Sequence, residues 1–363
     1  MNDASATAPQ LEPVTDGGAR LADLTTLRVG GLARRYCVVT STDAVIDAVS
    51  GADAAGEHLL VVGGGSNLLV GDEPFEGTVV HLATRGIEVE SQDSCSGATV
   101  RVAAGEPWDD VVRHAVEHGW AGVEALSGIP GLTGATPVQN VGAYGQEVAQ
   151  TIASVRTWDR QQNRVRTMAA VDCDFGYRHS RFKEERFNAG PRFVVLEVTF
   201  QLRLGSLSEP VRYAELARAL GVEVGSRAPL ADVREAVLGL RRSKGMVLDA
   251  ADRDTWSAGS FFTNPILDAG GAAGLPPDAP RFAQPDGLVK TSAAWLIEHA
   301  GFGKGYGLPG PAALSTRHTL ALTNRGTATA DDVLALAREV RDGVYAAFGV
   351  VLVPEPVLVG CSL

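Results

Sequence analysis

Residues 127–148 read SGIPGLTGATPVQNVGAYGQEV. Glycine recurs at 128, 131, 134, 142 and 145, proline stands at 130 and 137, and no charge appears before Glu147. Each Gly costs a helix about 1 kcal/mol against Ala and Pro removes a backbone donor, so the segment is a shaped loop rather than a helix or strand. A solvent-facing loop would carry Lys, Glu and Asp. This one carries Ile129, Leu132, Val138 and Val141 beside the amide pair Gln139 and Asn140. Its small residues permit close backbone approach, and its free N–H groups can face the oxygens or ring heteroatoms of a ligand.

Upstream, the pattern predicts a βαβ-type start: a strand at 36–40, a capped helix from Thr42 through Val49, and the apolar strand Leu59–Val62. Gly63-Gly64-Gly65-Ser66-Asn67 follows directly. Glycines at a strand end can form a nest that binds a pyrophosphate. The spacing is not GxGxxG and no helical segment follows, so a Rossmann reading fails on context. Short alternating runs at 78–82, 86–90 and 98–103 come next, interrupted by an amphipathic helix over 107–118 with Val111, Val112, Ala115 and Val116 inward.

Downstream, strands are predicted at 152–158, 164–168 and 193–202, the last with a clean period of two. Composition shifts at Gly205–Pro210, a polar hinge. Helical periodicity then marks 230–244, 292–300 and 329–348, where Thr329 and Asp332 form a capping box. The run 350–359, broken by Pro354 and Pro356, reads as an edge strand returning to an earlier sheet. The fold class is α+β.

At 363 residues there is length for two or three domains. Apolar residues make up 45% and charged residues 21%, an ordinary soluble composition. A net charge of -11 argues against nucleic acid as a partner, while leaving room for a local cationic site. Cys37, Cys95, Cys173 and Cys361 form no metal-binding cluster and read as free thiols in a reducing cytosol. No apolar run reaches the roughly 18 residues of a membrane span, and the first 18 or so residues lack signal-peptide features and read as a disordered leader.

Four polar stretches could carry chemistry: Phe175–Ser180 with Tyr177 and Arg178, Gly259–Pro265 with Ser260, Pro354-Glu355-Pro356, and the cationic helix end Arg241–Lys244. Ser260 lacks the GxSxG elbow, and no Ser, Asp and His constellation points to acyl transfer. Residue chemistry alone therefore gives an α+β protein with a glycine-rich anion or cofactor site. It does not name a reaction.

The ordered set TTLRVGG (25–31), VVGGGSNLLV (61–70), PVQNVGAYGQEV (137–148), FGYRHSRFK (175–183), GSFFTNP (259–265), SAAWLIEHAGFGKG (292–305) and PEPVLVG (354–360) resembles the UDP-N-acetylenolpyruvoylglucosamine reductase family, from about Leu24 to Gly360. The resemblance implies a cytoplasmic, monomeric flavoenzyme of peptidoglycan precursor synthesis, with no membrane or nucleic-acid partner and no metal. It implies a two-part FAD-binding module of the vanillyl-alcohol-oxidase (PCMH) type over 20–84 and 85–225, with 350–363 returning to the second part, and an α+β substrate-binding domain over 226–349. NADPH would reduce FAD, which would then reduce UDP-N-acetylglucosamine enolpyruvate to UDP-N-acetylmuramate.

By the same resemblance, Ser260 matches the proton donor and Arg178 and Glu355 the two other catalytic residues. Gly63, Gly64, Gly65, Ser66, Asn67, Ser127, Gln139, Asn140, Gly142, Ala143 and Tyr144 would hold FAD. The long insertion between Arg178 and Ser260 resembles the branch with an extra substrate-covering loop, where Tyr213 and Lys244 would contact the diphosphate. Tyr177 and Asn264 would complete the substrate site together with His318, which stands where that branch commonly has Gln. Around Glu355 the sequence departs from the second acid and Arg that the family more often shows.

Overall fold

The computed structural model describes residues 18–363; the N-terminal leader expected over the first residues lies outside that range, save its last position. A four-stranded sheet opens the fold, in spatial order 19–20, 32–39, 75–82, 58–62, with only the first pair antiparallel. Helix α1 (Thr42–Ala54), capped by Ser41 Oγ on Ala44 N, crosses between two of its parallel strands. The predicted βαβ start is present, and the strand 75–82 inserts between its two strands.

The second sheet is antiparallel, ordered 164–169, 152–159, 193–204, 97–103, 87–93. Helix α2 (Trp108–Glu117) lies on it through Trp108, Val111, Val112 and Ala115, while Val116 is only half-buried. In the long strand Phe193–Leu204 the predicted alternation holds from 196 onward, with 196, 198, 200 and 202 buried and 197, 199 and 201 more open, whereas Phe193, Val194 and Val195 are all buried. One apolar core, from Val39 to Leu202, joins this sheet to α1 and the first sheet.

Helix α3 (Arg181–Glu184) is a single turn. The predicted hinge at 205–210 is irregular and leads to α4 (Ala214–Leu220) and α5 (Leu230–Ser243), which share a small core with Ala125. Arg234 reaches from α5 to Asp109 of α2 with both guanidinium nitrogens, at 2.7 and 2.8 Å. The C-terminal part holds α6 (Ala269–Ala273), α7 (Ala293–His299) and α8 (Ala330–Phe348) around a core that also takes in Leu27, Val29 and Leu69 from the first part. The Thr329–Asp332 capping box forms as predicted, and the Asp72 carboxylate accepts from Ala330 N at 2.9 Å, placing negative charge at the positive end of α8.

The tail corrects one expectation. Only Val357–Val359 is a strand, and it pairs in parallel with Leu68–Val70 of the first part rather than returning to 85–225. Pro354 and Pro356 cannot donate to a ladder; Pro354 makes only an isolated bridge with Phe262, and the parallel ladder begins beyond both, where Val357 N donates to Asn67 O at 2.9 Å.

The two sheets are riveted by charge as well as by the shared core. The fully buried side chain of Arg160 gives Nε and Nη2 to Asp53 of α1, at 3.0 and 2.6 Å, and Nη1 to the carbonyls of Phe187 and Pro191. Removing the carboxylate strands a buried cation. Asp53→Ala is expected to cost about 3–5 kcal/mol, read as a lowered urea midpoint with an unchanged slope.

Candidate functional site

A single cleft of about 730 Å³ runs between the first sheet, the loop 127–148, the end of α5 and the tail. Its size is that of a cofactor or substrate pocket. Gly63–Asn67 form one wall, and the opposing wall is Ile129–Leu132. The two loops meet backbone to backbone: a Cβ at Gly64 would stand 2.7 Å from Gly131 Cα. Gly65, at φ +57°, would drive a side chain into the Leu24 carbonyl. A side chain at Gly64 would therefore collide with the facing loop. Ser66 Oγ donates to Pro130 O at 2.9 Å, and Thr26 N donates to Gly65 O at 3.2 Å, fixing the loop on both sides.

Further along the cleft lie Arg178, Ser260 and Glu355, which are 82 and 95 or more residues apart in sequence and come together on three chain segments. Phe261 and Phe262, both 1% exposed, anchor the segment carrying Ser260, and Gly259 enters it at φ +74°. Glu355 N donates to Phe261 O at 2.8 Å, which sets the tail directly beside the serine. Arg178 Nε stands 2.9 Å from Glu355 Oε1, an ion pair whose N–H is not aligned for a hydrogen bond. The Arg178 guanidinium is held from the other side, Nη2 donating to Gly142 O at 2.9 Å.

Two cations on the lining were not singled out individually from the sequence. Lys183 of α3 donates to Arg178 O at 3.2 Å, and burial pushes its pKa down, opposed by Glu355. Arg241, 9% exposed, gives Nη2 to Met246 O and keeps Nε–H without a partner among the described residues; burial brings its pKa down to about 10, so it remains charged at neutral pH. A sequence signal existed: Leu230, Val233, Val237 and Arg241 follow one helical stripe, and a cation on an apolar stripe marks a buried charge.

Of the residues expected at FAD, Gly63–Asn67, Gln139 and Gly142 line the cleft, whereas Ser127, Asn140, Ala143 and Tyr144 do not. Ser127 is buried with its hydroxyl on Glu124 O. The lining fits an acceptor-rich cofactor such as FAD. Among the described residues Gln139 Nε2 is buried without a hydrogen-bond partner, as is Arg241 Nε, and the glycine cradle presents backbone rather than side chains.

The expected substrate residues fall into two groups beside the cleft. Tyr177 Oη accepts from Asn264 N at 3.3 Å, Asn264 Oδ1 accepts from Ala293 N at the start of α7, and Lys290 lies over the Tyr177 ring. Tyr144 meets Tyr213 edge-on, with ring centroids 6.0 Å apart, and Lys244 lies over Tyr144 while paired with Glu215 at 2.5 Å. His318 is pushed down to about 4 by burial and by Lys244 and Lys304. It is neutral at physiological pH, with one ring donor and one acceptor, the same pair of functions a Gln amide offers.

A family model described as "FAD binding domain" matches residues 33–168, and one described as "UDP-N-acetylenolpyruvoylglucosamine reductase, C-terminal domain" matches 251–359. The UDP-N-acetylenolpyruvoylglucosamine reductase of Cutibacterium acnes is 58% identical, covering 94% of this chain and 90% of that protein; that of Streptomyces coelicolor is 56% identical, covering 97% and 92%. The crystal structure of the Thermus caldophilus reductase superposes with a TM-score of 0.63 at 25% identity, covering 94% of this chain and 97% of that one. With a relative of this identity matched across nearly its whole length, the chain belongs to the UDP-N-acetylenolpyruvoylglucosamine reductase family.

Proposed function

We propose that this protein catalyses the NADPH-dependent, FAD-mediated reduction of UDP-N-acetylglucosamine enolpyruvate to UDP-N-acetylmuramate, a step of peptidoglycan precursor synthesis. The observation that carries the reading is the convergence of Arg178, Ser260 and Glu355 in the same cleft as the glycine cradle. When bound, FAD would supply the redox chemistry that carries hydride from NADPH to the enolpyruvyl double bond. Gly63–Asn67 and Gln139 would hold it through backbone and amide donors. Hydride addition at C3 of the enolpyruvyl group leaves negative charge at C2 that spreads into its carboxylate. Arg178 offsets that charge, and Glu355 orients the guanidinium from the tail. Ser260 gives its Oγ proton to C2. Lys183, on the same lining, is the cation suited to easing that proton loss.

Lys244 and Tyr213 are assigned to the diphosphate, Tyr177, Asn264 and His318 to the rest of the sugar nucleotide, and the insertion between Arg178 and Ser260 to the branch with an added covering loop. The working division is FAD binding by residues 20–225 and substrate binding by 226–349. The enzyme is taken to act as a cytoplasmic monomer. No helix among the described residues is long and apolar enough to cross a membrane.

Three outcomes check these assignments. Gly64→Val wedges the facing loops apart, so the protein should purify nearly colourless while its far-ultraviolet circular dichroism is kept; full visible flavin absorbance would contradict the cradle. Lys244→Ala removes a charge-assisted contact worth about 1.5–3 kcal/mol made in ground and transition states alike, so steady-state kinetics should show KM for the UDP-sugar rising about 10–100-fold with KM for NADPH little changed. Ser260→Ala should leave flavin bleaching by NADPH near normal and slow its reoxidation by the enolpyruvyl sugar about 10²–10⁴-fold in stopped-flow traces. Ser260→Cys, which keeps a transferable proton, should recover part of that loss; equal slowing of both half-reactions by Ser260→Ala would remove the proton-donor role.

A further inference from the structure

Asn140, expected at the cofactor, turns its amide the other way. The residue is 1% exposed. Nδ2 donates to Gly176 O at 2.8 Å and to Glu147 Oε2 at 3.1 Å, and Oδ1 accepts from Ala149 N at 3.2 Å. Both of its N–H donors are therefore given to protein, leaving none for a ligand.

What those bonds hold is the turn that carries Arg178. Gly176 and His179 exchange backbone hydrogen bonds at 3.1 and 3.2 Å across that turn, and Arg178 sits inside it at φ +54°. Asn140 is itself left-handed, at φ +41°. For residues other than glycine such conformations are strained and persist only where the surroundings over-determine them. Here the over-determination is reciprocal: the Asn140 side chain grips Gly176 O, while the Asn140 carbonyl accepts from Arg178 Nη1 at 3.4 Å. Ser180 Oγ closes the same seam by donating to Val138 O at 2.7 Å. The loop 138–142 and the turn 176–180 thus form one unit, and the direction of the guanidinium toward Glu355 is set by that unit.

We propose that Asn140 is a positioning residue for the substrate half-reaction, acting by holding the Arg178 turn in its left-handed conformation. The proposal rests on the role given to Arg178 under the proposed function. Misplacing a reacting or stabilising group by about 1 Å can cost about 10²-fold, whereas cofactor binding and reduction by NADPH do not use this contact.

Asn140→Gly tests it, because glycine keeps a positive φ without strain and only the side chain is lost. The FAD content and the rate of flavin reduction by NADPH should stay within about twofold of the natural protein, while reoxidation by UDP-N-acetylglucosamine enolpyruvate slows about 10–100-fold, expressed in kcat more than in KM. Asn140→Asp fills the same space without the amide donors and should show the same split, which keeps the test open if the glycine variant does not fold. In an Arg178→Ala background, Asn140→Gly should add almost nothing, since the residue acts through Arg178. Loss of FAD, equal slowing of both half-reactions, or an undiminished effect of Asn140→Gly in the Arg178→Ala background would each overturn the proposal. Slow reoxidation in Arg178→Ala with normal reoxidation in Asn140→Gly would remove this proposal alone, whereas normal reoxidation in Arg178→Ala would remove the role of Arg178 with it.

Discussion

The contact between Gly63–Gly65 and Ile129–Leu132 is the constraint on which the site depends. Two loops from different parts of the chain approach until a single Cβ at Gly64 would lie 2.7 Å from the opposing backbone. That closeness is what lets main-chain groups and an unpartnered amide, Gln139 Nε2, line the cleft. Backbone donors have no rotamers to freeze, so a cradle made of them is ordered before a ligand arrives. The neighbouring elements serve this approach: Trp108 N of α2 donates to Gly131 O at 3.0 Å, and Thr26 N holds Gly65 O.

Four cations line the cleft beside three acids, Glu73, Glu76 and Glu355, in a protein of net charge -11. Arg178, Lys183 and Arg241 all face it, and Glu355 is the acid that meets the first of them. Such a local excess of positive charge, held in a partly desolvated cleft, suits anionic nucleotides and developing negative charge alike. The global charge of the chain said nothing about it, because counting charges discards position.

Local structure was largely legible in the sequence. The helix over 329–348 could be read from its capping box and apolar stripe, and the strand at 193–202 from its alternation, because each signal is a property of neighbouring residues. The loop 127–148 was legible as a ligand-facing loop from its missing charges. What could not be read was partnership across long separations. Asn140 is expected at the cofactor by resemblance, yet a positive φ, which Asn adopts more readily than most residues, accompanies an amide turned to Gly176 O and Glu147 instead. The destination of the tail was misjudged for the same reason: apolar residues at 357–359 fit any buried edge, and only the three-dimensional path selects Leu68–Val70.

The parallel pairing of Val357–Val359 with Leu68–Val70 joins segments nearly the full length of the described chain apart. Closing so large a loop costs entropy that three residue pairs of parallel ladder repay only in part, and the rest comes from the apolar core that Leu352 and Leu358 share with Leu27 and Leu69. Glu355 is held apart from that ladder, its N–H given to Phe261 O, so the tail fixes the acid on one side and closes a wall of the cleft on the other. A ligand that touched both the cradle and the tail would add its binding energy to the contacts that hold the two together.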